Sequence, residues 1–349
     1  MPAKPTCYAC KKPRHTAHPQ YPGLCSSCGD LNALKREARA DLSGKTALVT
    51  GARVGIGHAV ALRLLRDGAR VQATTRFPAD AARRYALEPD FEDWRARLTL
   101  HGLDFRNLPA LESFALSLSD SLERLDLLIN NAAQTVRPKP EAVAALQMRE
   151  RDPLPEKLHA LLGVGVISSS ASHPLALETL TPVLPLAPLE TGHSWDLRAP
   201  DVSLLEMVEV QVINAIAPFV LTGRLLGLLG RSSPAFVVNV SSVEGRFSGR
   251  DKPGRHPHTN MAKAALNMFT RTSSREFKAL GVYMNSVDPG WVSFQQSESG
   301  QETLRARDLS PPFDLQDAAA RVLDPVYVGL NEGKLEWGRF FKDYAPIDW

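Results

Sequence analysis

Short apolar runs alternate with stretches of helical periodicity along most of the chain, and this alternation alone predicts a fold class. Residues 45–51, Lys-Thr-Ala-Leu-Val-Thr-Gly, read as a buried strand that runs into a glycine-rich turn. Apolar positions from Gly57 to Arg66 then recur at helical spacing. Residues 69–75 and 97–104 read as a second and a third strand, Asn107 to Leu122 as a helix, and 125–130 as a fourth strand. The rhythm stops at about 134 and resumes at about 200. A long helix is expected from Val202 to Leu229, a strand in 234–242, a helix from Thr259 to Leu280 and a strand in 281–290. One more helix near Asp317 to Leu323 and a last strand near 338–344 close the pattern. Strands separated by helices imply βαβ units on a parallel sheet. The expected fold is therefore α/β, a doubly wound parallel sheet.

The pattern divides the chain. Residues 1–30 are rich in proline and cysteine, and 31–44 form a connector, helical from about Leu31 to Arg39 and ending near Gly44. The dinucleotide-type body is expected in 45–133 and 200–349. Between them, 134–199 reads as a proline-rich insertion on the ligand edge of the sheet, partly helical and partly irregular. Nine prolines fall between 134 and 200, and the stretch ends in polar turns around Gly192 and His193. No internal repeat is visible. At 349 residues and 44% hydrophobic, the chain can bury a substantial core.

Charge excludes more than it identifies. The net charge is +3, but residues 1–45 hold eight Lys/Arg against three Asp/Glu, while the remainder holds 33 against 35. A small basic arm of this kind is ordinarily a solvated face, so nucleic acid is not an expected partner. The first twenty residues lack an apolar core of the secretory type, and no run of eighteen apolar residues occurs. The expectation is a cytoplasmic protein without a membrane partner.

All four cysteines lie in the first 28 residues, as Cys7-x2-Cys10 and Cys25-x2-Cys28 with fourteen residues between the pairs. A two-residue spacer presents two sulfurs to one metal, and two such knuckles fit a tetrahedral zinc site in a zinc-ribbon-like segment. Disulfides or an iron–sulfur centre are the alternatives. Four thiolates close the coordination sphere, so the zinc is expected to be structural, and so short a segment needs it to fold. The knuckle either braces the body or docks a protein partner. No cysteine is left for disulfides elsewhere, which suits a reducing compartment.

The first strand leads into Gly51-Ala52-Arg53-Val54-Gly55-Ile56-Gly57 and then a helix. A pyrophosphate needs main-chain N–H groups aimed at it and a helix N-terminus behind it. Gly51 allows the tight turn, Gly55 lets the backbone approach the phosphates, and Gly57 lets the helix pack close to the strand. The second strand ends in Thr74-Thr75-Arg76 without the acid that an NAD site places on the ribose hydroxyls. Arg76, assisted by Arg53, suits a 2′-phosphate, so NADP(H) is expected ahead of NAD.

These residues resemble the short-chain dehydrogenase/reductase superfamily over about 45–133 and 200–349, which implies a sheet of the Rossmann type with strand order 3-2-1-4-5-6-7. The segment Thr-Gly-Ala-Arg-Val-Gly-Ile-Gly (50–57) looks like the family's cofactor turn, with Gly51, Arg53, Gly55, Ile56 and Gly57 as implied contacts. Asp104 matches the adenine-contacting acid, and Asn130-Asn131-Ala132-Ala133 is similar to the Asn-Asn-Ala-Gly segment, which implies a cofactor role for Asn131. Asn214 and Ser242 match the catalytic asparagine and serine. Val-Asp-Pro-Gly-Trp-Val-Ser (287–293) resembles the loop whose backbone at Pro289 and Gly290, with Val292, holds the nicotinamide amide. Lys263 matches the lysine that holds the nicotinamide ribose. The resemblance also implies a homo-oligomer built on the helices around Asn214 and Lys263.

One departure matters. Thr259 stands where the family's Tyr-x3-Lys pattern has tyrosine, and no tyrosine occurs between Tyr85 and Tyr283. A phenol with a pKa of about 10, lowered by the adjacent lysine and cofactor, is a usable acid; an aliphatic hydroxyl is far weaker and shorter. General acid–base help is worth roughly 10²–10⁴ in rate, so its loss argues against the standard route. His258, beside His256 in a loop that also carries Arg246, Arg250, Lys252 and Arg255, is the candidate replacement. Two functions stay open: an oxidoreductase acting on a carbonyl or alcohol with a non-standard proton donor, or a catalytically degenerate NADP(H)-binding scaffold or sensor whose partners bind the knuckle and insertion.

Overall fold

The computed structural model describes residues 5–137, 140–163, 193–248, 252–293, 298–306 and 309–349. The middle of the expected insertion, 164–192, lies outside the described residues.

Eight strands form one sheet: β1 (Thr46–Thr50), β2 (Arg70–Thr75), β3 (Leu98–Gly102), β4 (Leu127–Asn130), β5 (Ala235–Val240), β6 (Val282–Asp288), β7 (Phe340–Lys342) and β8 (Ala345–Ile347). Their order is β3-β2-β1-β4-β5-β6-β7-β8. The first seven pair in parallel and β8 adds an antiparallel edge. The doubly wound sheet and its seven-strand order are as expected. The eighth strand is new, because a three-residue hairpin return carries no periodicity to read.

Each central strand is apolar without a break because both of its faces are covered. In β1, Ala47 and Val49 enter one apolar layer and Leu48 the other. Leu127 and Ile129 of β4 face the first layer, and Leu128 the second. The helices Gly55–Arg66 and Leu315–Glu332 close the first face. The helices Leu108–Ser121 and Ala217–Leu229 close the second.

The continuous helical run Leu204–Leu229 is long and apolar enough to cross a bilayer by length and composition. Here it lies on the sheet, with Leu221, Leu225, Leu228 and Leu229 buried in the second layer. The apolar character is that of a core helix.

Several helices start or end elsewhere than the periodicity predicts. The N-terminal helix spans Ser26–Glu37 and so begins inside the second cysteine knuckle. The helix read near Asp317–Leu323 spans Leu315–Glu332 and carries Pro325 in its interior. Asp314 caps it, accepting from the N–H groups of Gln316 and Asp317.

Candidate cofactor and active site

Chain direction across the sheet reverses between β1 and β4, and ligands of open α/β sheets bind in the crevice at that point. The turn after β1, the ends of β2 and β3 and residues 131–134 enclose a cleft of about 350 Å³ there.

The three glycines of the turn do different things. Gly51 has φ +67°, and a Cβ on it would lie 2.8 Å from the Ala132 Cα. A Cβ on Gly57 would overlap the Gly51 carbonyl oxygen and the Asn131 amide. Gly55 has φ +64° and faces open space, with nothing within 4 Å of an added Cβ. Behind it the helix Gly55–Arg66 has no side-chain cap and no acid in its first turn. Its first N–H groups therefore remain available to an anion. These features fit a pyrophosphate without adjustment.

Asn131 braces this turn. Its side-chain amide donates to the carbonyls of Thr50 (2.9 Å) and Gly51 (3.3 Å). The Thr50 hydroxyl accepts from the N–H groups of Asn131 and Ala132, both at 2.9 Å. The Asn131 side chain thus holds the floor of the cleft rather than reaching out of it.

At the end of β2 the arginines divide. Arg53 donates to Asp80 at 2.7 Å, and Arg84 meets the same carboxylate at 2.7 Å. Arg53, expected to assist at a phosphate, lines the cleft and is paired with the helix Pro78–Tyr85. Among the described residues no hydrogen bond or ion pair holds Arg76, whose guanidinium lies 5.6 Å from the Phe77 ring. Burial pulls Arg76 below its ordinary pKa, against the attraction of Asp104. Asp104 lines the same cleft, and the fork of Arg106 grips its carboxylate at 2.6–3.1 Å.

A buried polar ladder joins the strand ends. Asn130 donates to Asn239 at 2.8 Å and to Thr222 at 3.0 Å; Asn239 donates to Thr270 at 2.9 Å, and Thr270 meets Ser286 at 2.8 Å. The ladder fixes β4, β5 and β6 to the helices behind them. The sequence signal was available, as polar residues inside otherwise apolar strands, but nothing paired them.

Asn214 is fully buried, and both polar atoms of its side chain are taken by the main chain of Gln134, at 2.7 and 3.0 Å. Pro218, four residues on, has no N–H to return to the Asn214 carbonyl, and the helix widens into a π turn over Val212–Ile216. Ser242 caps the short turn Val243–Gly245, accepting from the Glu244 N–H at 3.1 Å. Its own hydroxyl proton is left to donate. A Cβ on Gly245 would lie 2.5 Å from the Lys263 carbonyl carbon, so glycine lets this turn close on the helix Pro257–Ala279.

Lys263 sits on that helix, 7% exposed, and donates to the Val240 carbonyl at 2.8 Å. Burial, offset in part by Asp288, lowers its pKa from 10.5 to about 8. Thr259 lies one helical turn earlier on the same face. It is buried, and its hydroxyl has no hydrogen-bond partner.

The expectation for His258 needs correction. The helix begins at Pro257, so His258 belongs to its first turn rather than to a loop. It is rotated about 100° around the axis from Thr259. Its Nε2 lies 3.5 Å from Glu206 on the helix Leu204–Gln211. The imidazole therefore fills a helix–helix contact and is not presented with Lys263. His256 stacks on Trp195 at 4.1 Å and is likewise engaged.

The four cysteine sulfurs lie within 4.8 Å of one another, with Cys10 and Cys25 3.9 Å apart. With a metal–sulfur distance of about 2.3 Å, a tetrahedral edge is about 3.8 Å, so the set fits a four-thiolate ion. Cys7 and Leu24 pack with Tyr21 and Phe313, and Val292 of the loop after β6 joins them.

The model of the short chain dehydrogenase family matches residues 45–152 and 190–304. An uncharacterized protein of Acanthamoeba polyphaga mimivirus is 31% identical over 343 residues, covering 92% of this chain and 71% of its own length. Retinol dehydrogenase 13 of Homo sapiens is 26% identical, over 76% of this chain and 63% of its own. Among solved structures, the NADPH-bound carbonyl reductase from chicken fatty liver superposes with a TM-score of 0.59 at 21% identity, covering 88% of this chain and all of its own. A short chain dehydrogenase from Burkholderia cenocepacia in complex with NADP gives a TM-score of 0.60 at 21% identity, over 86% of this chain and 97% of its own.

Proposed function

Because the chain belongs to the short-chain dehydrogenase family, we propose that it is an NADP(H)-dependent oxidoreductase acting on a carbonyl or alcohol, with Thr259 and Lys263 as the proton route in place of the phenol. The observation that carries this reading is the uncapped helix behind Gly55, opening on a cleft in which Arg76 has no partner among the described residues. The 2′-phosphate of NADP(H) would supply one. Two of the similar solved structures hold NADPH or NADP.

The cofactor, when bound, supplies or accepts the hydride at carbon 4 of its nicotinamide. The residues do the rest. In the reducing direction the Ser242 hydroxyl donates to the carbonyl oxygen and holds it. As that oxygen becomes an alkoxide, the Thr259 hydroxyl gives it a proton and draws one from the Lys263 ammonium. Lys263 is left as a neutral amine and takes its proton back from solvent. A pKa near 8 suits a group that must release a proton near neutrality. The Asn214 side chain fixes the main chain at Gln134 and takes no part in the transfer. The four cysteines are assigned to a structural zinc ion.

The test is NADPH oxidation dependent on added carbonyl compounds, measured on the wild type and on Ser242→Ala. Turnover that disappears in the variant supports the reading. Tight NADPH binding with no turnover across a broad carbonyl panel refutes it and leaves the nucleotide-binding scaffold.

A further inference from the structure

The knuckle lies against the loop that follows β6, where the resemblance places the nicotinamide. Tyr8, between the first two cysteines, donates its N–H to the Gly23 carbonyl at 2.9 Å, which ties the two knuckles together. Its ring meets Phe313 edge-on, with centroids 5.4 Å apart. Phe313 is 5% exposed and carries the Arg321 guanidinium 3.6 Å from its centroid. The main chain of Gly290 rests on the same ring. Its φ is +85°, and a Cβ there would come within 2.9 Å of Phe313 Cδ2.

From Gly290 the contacts run to the catalytic turn. The Gly290 N–H donates to Asp288 Oδ1 at 2.8 Å, and Asp288 Oδ2 accepts from Val243, the residue after Ser242, at 2.8 Å. Lys342 stands 3.6 Å from Asp288 Oδ1, and its ammonium lies 5.5 Å from the Tyr8 ring centroid. Tyr8 therefore touches both groups that set this loop, Phe313 beneath Gly290 and Lys342 beside Asp288. The Val292 side chain packs into the same cluster as Cys7 and Leu24.

We propose that the metal-bound knuckle is a clamp on the loop Asp288–Ser293, with Tyr8 and Phe313 as positioning residues for the nicotinamide end of the site. The proposal rests on the dinucleotide reading above. A segment this short takes its folding energy from its metal, so loss of the ion releases Tyr8 and, through it, Gly290 and Asp288. The phosphate turn follows β1, which β4 and β5 separate from β6. The helix Ser26–Glu37 that leads out of the knuckle has anchors of its own on the body, independent of the metal. Tyr21 and Asn32 each donate to Asp317 at 3.0 Å, and Arg36 donates to Asp314 at 2.7 Å. Metal loss is therefore local, and its signature is a split between the two halves of the cofactor.

The experiment uses the full chain and three readouts: zinc content, affinity for NADPH, and affinity for 2′,5′-ADP, which lacks the nicotinamide. Chelated protein and Cys10→Ser are expected to bind NADPH about ten-fold more weakly, with 2′,5′-ADP unchanged. Tyr8→Ala is expected to do the same while retaining zinc, and Tyr8→Phe, which keeps the ring on Phe313 but loses the hydroxyl that meets the Trp291 main chain, to restore most of the affinity. The clamp is overturned if zinc-loaded Tyr8→Ala binds NADPH like the wild type, or if both ligands weaken in parallel. Wild-type protein without zinc removes the metal from the proposal. Wild-type protein that binds neither nucleotide overturns the dinucleotide reading itself, a result distinct from loss of the split alone.

Discussion

Replacing Lys263 with methionine separates what this side chain does for the fold from what it does at the site. The ammonium is buried and donates to the Val240 carbonyl, and among the described residues no carboxylate lies within ion-pair distance of it. Burial moves its pKa from 10.5 to about 8, which is on the order of 3 kcal/mol of unfavourable energy in the charged form at neutral pH. Methionine keeps the straight stem and removes the charge. It leaves the Val240 carbonyl unpartnered, which costs about 1–3 kcal/mol. The nucleotide-free variant should therefore be at least as stable as the wild type at pH 7, by up to about 2 kcal/mol. The pH dependence has a fixed sign. The unfolded chain keeps this proton up to 10.5 and the folded chain only to about 8, so between those values the unfolded state binds more protons and wild-type stability rises with pH. The variant lacks that rise, and the gap closes from pH 8 to 10.5. Urea unfolding of both proteins at pH 7 and 9.5 measures it. A variant less stable than wild type at pH 7, or one with the same pH slope, would refute the assignment of a buried, unpaired ammonium. In the same protein, turnover should fall by about 10²–10⁴.

Three further substitutions test the site piece by piece. Arg76→Ala should weaken NADPH about 10- to 100-fold and leave NADH unchanged, since a charge-assisted bond to phosphate contributes about 1.5–3 kcal/mol; equal losses in a fluorescence titration would remove Arg76 from the 2′-phosphate. Gly55→Ala places a Cβ in the open space before the helix at φ +64°. It should cost about 1–2 kcal/mol in thermal stability and abolish measurable binding of both nucleotides, and full binding in calorimetry would contradict the pyrophosphate site. Thr259→Val removes a buried hydroxyl that lacks a partner, so the protein should gain about 1 kcal/mol and keep its NADPH affinity while turnover drops at least about 100-fold. Unchanged turnover would take Thr259 off the proton route.

What the sequence made legible follows the range of the physics involved. The apolar runs of β1, β4 and β5 could be read because strands covered on both faces carry no polar alternation, and the structure splits them between two layers as such burial requires. The roles of Gly51 and Gly57 were legible because a turn and a close approach are local needs. The partner of an arginine is not local. Nothing near Arg53 in the sequence announced that Asp80 would take it, while Arg76 has no such partner among the described residues. His258 was misread for a related reason. Proline at 257 marked a helix start as readily as a loop, and the missing information was which face Glu206 would occupy across the helix pair. The contact of the knuckle with Phe313 and Val292 joins residues some 300 positions apart. No spacing rule reaches that far.

The energetics at Lys263 and Thr259 point the same way. An ammonium whose burial Asp288 only partly offsets and a hydroxyl without a hydrogen-bond partner among the described residues stand one helical turn apart on a buried face, and each is unfavourable alone. An apolar pair of similar volume would make a more stable protein, yet Gly245 brings the catalytic turn hard against this stretch of helix. Both deficits would be relieved by one event, the arrival of oxygen-rich groups in front of the helix. In the proposed function the nicotinamide ribose would offer hydroxyls to the ammonium, and a substrate oxygen an acceptor to the threonine. Buried polar groups left unsatisfied in the empty protein are what such a site would show.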